Sequence, residues 1–322
     1  MTRPKIFIAR IIPDLGLRFV NEHFPADAWS HEQPPTKDQL IEHSRGVDGL
    51  LCTLTERVDG DLMDSIGSQL KVISSMSVGV DHIDIAAVTA RKIPVGNTPG
   101  VLTDATADQA FALMLAAARR ITEAERFVRA GKWTTWIPSL LLGADLVGST
   151  LGIVGFGRIG QAVAKRAQGF DMRVIYYSPN AKPAYNAQSV DLDTLLRESD
   201  FVSLHVPLKP ETKHLVNDEF LAKMKPNAIL VNTTRGGVLD QNALYTALKS
   251  NQIFAAALDV TDPEPLAMDS PLLELENCII VPHLGSASKK TRDMMSLLAA
   301  QNLVAGLKGE RLPNCVNPEV YE

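Results

Sequence analysis

Leu151-Gly-Ile-Val-Gly155-Phe156-Gly157-Arg158-Ile159-Gly160-Gln-Ala-Val-Ala-Lys-Arg-Ala167 runs from an apolar strand through a glycine turn into a helix. Each glycine has its own task. Gly155 permits the sharp strand-to-helix turn, Gly157 lets the backbone approach a ligand closely, and Gly160 lets the helix lie tight on the strand. The free N–H groups and positive dipole end of that helix then face an anion. The segment reads as a site for a dinucleotide pyrophosphate, with the backbone of Gly155 to Gly160 as its cradle. It starts almost halfway along the 322-residue chain, so another structure precedes it.

The next strand, Arg173-Val-Ile-Tyr-Tyr177, ends at Ser178-Pro179-Asn180. An acidic residue at this strand end would hold a ribose 2′-hydroxyl and select NAD. Ser178 carries no charge to repel a 2′-phosphate, so NADP(H) is favoured on charge. No arginine follows to clamp that phosphate, Lys182 being the nearest cation, and a serine also bonds a plain ribose. NAD(H) stays open.

Working outward, the first hundred residues alternate strand and helix. Lys5 to Ala9, Gly49 to Leu54, Leu70 to Ser75 and Ile93 to Val95 read as strands, and Asp59 to Asp64 as a helix start with acidic residues in its first turn. Residues 103–130 read as one long helical stretch, and Ala110 to Ala118, apolar on every face, as its buried centre. Lys132 to Asp145 is irregular and carries Trp133 and Trp136. After the glycine turn come strands at 201–206, 228–232, 254–258 and 278–281, and a final helix from Lys289 to Leu307 that ends at Gly309. Alternating elements of this kind imply parallel, doubly wound sheets. The expected organisation is an α/β chain of two such domains, the dinucleotide-binding domain at 102–288 inserted into a domain made of 1–101 plus 289–322. The final helix then returns to pack on the N-terminal sheet.

Composition removes other classes. A net charge of −5 argues against a nucleic-acid surface. No apolar run reaches membrane-spanning length, and the apolar Ile6 to Ala9 is cut short by Arg10, too brief for a signal-peptide core. Cys52, Cys278 and Cys315 form no C-x-x-C, which fits a reducing, cytoplasmic setting, with Cys52 and Cys278 as core thiols. The histidines show no metal-binding spacing, so no metal is expected.

Three polar groups stand at strand ends of the second series. Arg235 lies in Asn232-Thr233-Thr-Arg-Gly-Gly237, Glu264 in Asp259-Val-Thr-Asp-Pro-Glu-Pro265, and His283 in Pro282-His-Leu-Gly-Ser286. An arginine grips a carboxylate through two parallel hydrogen bonds and polarises a keto oxygen beside it. A histidine gives or takes the proton, and a neighbouring glutamate stabilises its charged form. The set suits hydride transfer on a 2-keto acid. Val72 to Asp81, a strand running into the turn Ser77-Val78-Gly79, offers a plausible anion nest.

Together with the glycine turn, these segments resemble the D-2-hydroxyacid dehydrogenase family over nearly the whole chain. Within it the chain is most similar to glyoxylate/hydroxypyruvate reductases, through Asp259 to Pro265 and Gly131-Lys-Trp-Thr-Thr-Trp136. The resemblance implies a Rossmann domain inserted into a flavodoxin-like substrate domain. It implies that Arg235 binds substrate, that Glu264 and His283 form the acid/base pair, and that Asp259 lies near the nicotinamide carboxamide. Ser178 and Thr233 join the cofactor contacts. Ser77, Val78 and Gly79 would hold the substrate carboxylate through backbone N–H groups, with Leu54, Trp136 and Ser286 completing the pocket. Trp136 would reach the site of a partner subunit, which implies a homodimer. The expected reaction is reduction of glyoxylate and hydroxypyruvate. Reduction of another keto acid (pyruvate or 2-ketogluconate) and a nicotinamide-sensing corepressor of the same fold are the alternatives.

Overall fold

The computed structural model describes residues 3–179 and 183–322. Asn180 and Lys182, the latter the nearest cation weighed for the 2′-phosphate, lie outside the described residues. The chain divides into two compact units, Met1–Leu102 with Ser288–Glu322, and Thr103–Ala287.

The first unit opens with β1 (Ile6–Ile8), α1 (Asp14–His23), β2 (Asp27–Ala28), α2 (Lys37–Ser44) and β3 (Gly49–Cys52). It continues with α3 (Gly60–Ile66), β4 (Val72–Ser75), α4 (Ile85–Ala90) and β5 (Val95–Gly96). All strands are parallel, in the order β2-β1-β3-β4-β5. This is the flavodoxin-like order. Helix starts follow local chemistry. Asp59 caps α3 by accepting from Leu62 N at 3.1 Å, and Thr36 and Gln39 form a reciprocal capping box on α2.

The second unit begins with α5 (Thr103–Ala118) and α6 (Ile121–Arg129). It then runs β6 (Thr150–Val154), α7 (Arg158–Ala167), β7 (Arg173–Tyr177), β8 (Gln188–Ser189), α8 (Leu192–Glu198) and β9 (Phe201–Leu204). It closes with α9 (Asp218–Lys223), β10 (Ile229–Asn232), α10 (Gln241–Lys249), β11 (Ala255–Leu258) and β12 (Cys278–Ile280). Its seven strands are again parallel, ordered β12-β11-β10-β9-β6-β7-β8. The order reverses between β6 and β9, the switch point at which open α/β sheets bind ligands beyond the strand carboxyl ends. β6, β9, β10 and β11 are buried at every residue, which explains their nearly unbroken apolar runs.

The long helical stretch expected at 103–130 is two helices. Arg120 adopts a left-handed φ of 50°, its guanidinium pairs with Glu123 at 2.7 Å, and Ala144 N caps the Ala118 carbonyl at 2.8 Å. Those contacts end α5 where hydrophobic patterning continues. Burial of the centre is also incomplete: Ala112 is exposed, and Leu115 and Ala116 are half-buried.

α11 (Lys289–Leu307) belongs to the first unit, where Ala299, Ala300 and Leu303 pack with Ile6, Ile8, Leu51 and Val72. Cys52 is buried in β3 and Cys278 half-buried in β12, and all three cysteines are unpaired. Burial pushes the Cys52 thiol well above its ordinary range and the Cys278 thiol up to about 12. Among the described residues, no helix is long and apolar enough to cross a membrane, and no cluster of three metal-ligating side chains occurs.

Candidate active site

The glycine turn follows β6 at the switch point. Gly155 has φ +95°, and a Cβ there would lie 2.5 Å from the His205 carbonyl oxygen. A Cβ on Gly160 would lie 2.3 Å from the Gly155 carbonyl oxygen, so two of the three glycines are required by the fold itself. Gly157 differs, because a Cβ there meets nothing within 4 Å. It is exposed, and it caps α7 without any side-chain hydrogen bond. The first-turn N–H groups of α7 are thus turned to open space, the arrangement a pyrophosphate requires. Phe156 is buried and stacks on Tyr176 with ring centroids 4.0 Å apart, so it offers a ligand only its backbone. Arg158 is exposed, Ile159 half-buried against the core, and Ser178 half-buried just past β7.

Two buried polar atoms at this sheet edge have no partner among the described residues, His205 Nδ1 beyond β9 and Thr233 Oγ1 beyond β10. His205 is held by Ser203 Oγ to Nε2 at 2.8 Å and by its own N–H to the Val154 carbonyl at 2.7 Å. Burial lowers its pKa to about 3, so the imidazole is neutral at ordinary pH. Orphaned buried polar atoms beside an uncapped helix start fit a dinucleotide in this edge. Sequence reading missed His205; its signal was a histidine ending the apolar strand Phe201-Val-Ser-Leu.

The loop after β10 is shaped by Asn232, fully buried. Its Oδ1 accepts from Thr234 N at 3.0 Å and Thr234 Oγ1 at 2.8 Å, and its Nδ2 donates to the Arg235 carbonyl at 3.0 Å. Arg235 is half-buried and donates from Nη1 to the Thr234 carbonyl at 2.9 Å. Beyond β11, Gln241 holds Asp262 by two bonds, Nε2 to the carbonyl at 2.6 Å and Oε1 from the N–H at 3.1 Å, which anchors the Glu264 loop.

Glu264 Oε1 lies 2.9 Å from His283 Nδ1, with both side chains partly exposed. His283 has φ +54°, an uncommon conformation for a residue other than glycine. Asp259 holds it there. The Asp259 carbonyl accepts the His283 N–H at 2.9 Å, and its two carboxylate oxygens accept Leu284 N at 2.6 Å and Gly285 N at 2.7 Å. Asp259 is fully buried, and burial raises its pKa against the opposing pull of those N–H bonds and of His283. Sequence reading gave Asp259 a cofactor contact and missed this clamp. Ser286, half-buried, lies one residue past it.

In the first unit, the loop after β4 has all three carbonyls engaged. Thr98 N donates to Ser77 O at 2.8 Å, Asn97 Nδ2 to Val78 O at 2.9 Å, and Ser77 Oγ to Gly79 O at 2.7 Å. In a trans peptide the C=O and the following N–H point opposite ways. Val78, Gly79 and Val80 therefore turn their N–H groups away from these anchors, and none of the three donates a hydrogen bond among the described residues. Ser77 itself is buried, its hydroxyl spent inward. After β3, the buried Glu56 carboxylate accepts Thr53 N at 2.7 Å and Thr53 Oγ1 at 3.0 Å, leaving Leu54 exposed at the turn. Trp133 and Trp136, in the second unit, are exposed, Trp136 at 78%.

A glycine turn and an imidazole–carboxylate pair on one edge of a Rossmann sheet fit a nicotinamide-dependent oxidoreductase. The model of the D-isomer specific 2-hydroxyacid dehydrogenase NAD-binding domain matches residues 111–285. A glyoxylate reductase of Korarchaeum cryptofilum is 50% identical over 325 residues, covering 99% of this chain and 98% of that one. A solved Thermus thermophilus structure is 47% identical with a TM-score of 0.92, over 97% of this chain and 99% of that one. The NADPH-dependent glyoxylate/hydroxypyruvate reductase of Sinorhizobium meliloti, solved with NADP and malonate, is 31% identical with a TM-score of 0.88, over 98% and 97%. The chain belongs to the D-2-hydroxyacid dehydrogenase family and is an NAD(P)-dependent oxidoreductase.

Proposed function

We propose that this enzyme reduces glyoxylate and hydroxypyruvate to glycolate and D-glycerate, and that it prefers NADP(H). The observation that carries the reading is the 2.9 Å contact between Glu264 and His283 on a turn clamped by Asp259. The relatives named glyoxylate reductase, half identical over almost the full length, support the substrate class. The uncharged Ser178 supports NADP(H).

A bound nicotinamide cofactor would supply the hydride for the keto carbon. Each further contribution comes from the chain. Glu264 accepts a hydrogen bond from His283 Nδ1–H, which leaves Nε2–H to deliver its proton to the keto oxygen. The Glu264 carboxylate then stabilises the positive charge that His283 bears before the transfer. Arg235 holds the substrate carboxylate and polarises the carbonyl. Val78 and Gly79 bind the same carboxylate through their outward N–H groups. Ser77 acts by shaping that loop, Leu54, Trp136 and Ser286 border the pocket, and Asp259 keeps a lone pair on each oxygen for the carboxamide. Thr233 and the backbone of residues 155–160 hold the cofactor phosphates and ribose.

We also assign a homodimer. Ile121, Val128, Trp133, Trp136, Ile137, Leu142 and Val147 are all exposed, and α6 buries none of its residues. Such a concentration of exposed apolar side chains fits a surface covered by a second copy.

The direct test of the proton donor is His283→Ala. Its kcat for glyoxylate should fall by about 10²–10⁴-fold, the range for loss of a general acid. Its NADPH affinity and melting temperature should stay near those of the parent. Undiminished turnover would rule out the assignment.

A further inference from the structure

The carboxylate-binding loop 77–79 is shaped by a group that the proposed mechanism does not use. Ser77 Oγ donates to the Gly79 carbonyl at 2.7 Å. Ser75 Oγ lies 2.7 Å from Ser77 Oγ and 3.0 Å from His82 Nε2. Ser75 and Ser77 are buried, and His82 is buried at 8% exposure, so water is poorly placed to substitute for a missing partner.

Each hydroxyl has one hydrogen, which fixes the direction of the chain. Ser77 spends its hydrogen on Gly79 O, so it must accept from Ser75. Ser75 then has none left for His82, so His82 must donate from Nε2. We propose that His82 and Ser75 are positioning residues, forming a one-way relay His82 Nε2–H to Ser75 to Ser77 to the Gly79 carbonyl that fixes the last peptide of the loop and thereby holds the preceding Val78 and Gly79 N–H groups in place for the substrate carboxylate. The relay sets the plane of the Gly79–Val80 peptide, as Thr98 and Asn97 set the two before it. Unlike those two anchors, it depends on the tautomer of an imidazole. This inference rests on the keto-acid reading for its consequence, but not for its geometry.

Two measurements on the full-length protein test it. In the first, steady-state kinetics with glyoxylate at saturating NADPH are accompanied by the Kd of oxamate, an unreactive keto-acid-shaped anion. Ser75→Ala and His82→Leu should each raise KM and the oxamate Kd about tenfold, the effect of one lost hydrogen bond, while kcat holds within about twofold. His82→Gln, which keeps a donor N–H at similar reach, should recover most of the loss. In the second, ¹⁵N NMR of histidine-labelled protein should show His82 protonated at Nε2. An unchanged KM and oxamate Kd in Ser75→Ala, or a His82 protonated at Nδ1 alone, would overturn the relay. If the parent protein turns over no keto acid, the functional reading fails, while the oxamate and NMR results still decide the relay.

Discussion

The two loops proposed to present backbone N–H groups to anions are built differently. After β6, geometry does the work. Gly155 and Gly160 are packed so closely that no side chain fits, and the α7 start is aimed by its own helix. The loop after β4, 77–79, is not a helix start. Three carbonyls are pinned by Thr98, Asn97 and Ser77, and the N–H groups face outward because the peptide is planar. The first design sits in the backbone and tolerates little change at its glycines. The second sits in side chains and should be tunable one hydrogen bond at a time.

The largest effect expected from breaking this contrast is at Gly157. A Cβ at Gly157 meets nothing within 4 Å, so Gly157→Val should fold, yet its branched side chain would fill the space proposed for the pyrophosphate. NADPH affinity, followed by fluorescence titration, should fall by at least about a hundredfold, the loss of several charge-assisted bonds. Loop 77–79 is the contrast: it lies in the other unit and should keep its shape. Unaltered NADPH binding would mean the turn is not the cradle.

Arg235→Ala removes a side-chain grip on the same carboxylate that Val78 and Gly79 are proposed to hold through the backbone. Loss of a bidentate charged pair should lower kcat/KM for glyoxylate by about 10²-fold. A variant as efficient as the parent would leave the loop as the sole anchor. Comparison with Ser75→Ala would then rank the side-chain and backbone contributions.

The smallest effect is one of pH. His205 lies against the glycine turn, its carbonyl 2.5 Å from where a Gly155 Cβ would stand. Its pKa is about 3 when folded and 6.5 in a free chain. Between these values the unfolded state binds the extra proton, so stability falls as pH drops from 6.5 towards 3 and is fully present above 6.5. His205→Gln should flatten that part of the melting-temperature profile by a few degrees, of the order expected for about 1 kcal/mol or more at this chain length. A profile identical to the parent's would show that His205 is not the group that titrates.

The same contrast explains what could be read from sequence. The glycine turn was legible because its residues are adjacent and two of its glycines, Gly155 and Gly160, are demanded by local backbone geometry. β7 at Arg173–Tyr177 and α11 at Lys289–Leu307 were legible for a similar reason, continuous patterning bounded by clear stops. The break at Arg120 was not, because Glu123 and Ala144 create it and hydrophobic patterning carries no trace of either. The short edge strands β2 and β8, with two residues each, have too little pattern to detect. At the candidate site, Arg235, Glu264 and His283 stood out as polar groups at strand ends. The clamp of Asp259 on Leu284 and Gly285 spans some twenty-five residues, and the anchors of Ser77 and Val78 come from Thr98 and Asn97. Such convergence is a property of the folded chain.

The proposed function is one reaction, keto-acid reduction. Oxidation of NADPH and of NADH, followed by absorbance with glyoxylate, hydroxypyruvate, pyruvate and 2-ketogluconate in turn, tests it most directly. The highest kcat/KM is expected for glyoxylate and hydroxypyruvate, with NADPH the better donor. Tight NADPH binding with no turnover of any of the four acids would contradict it.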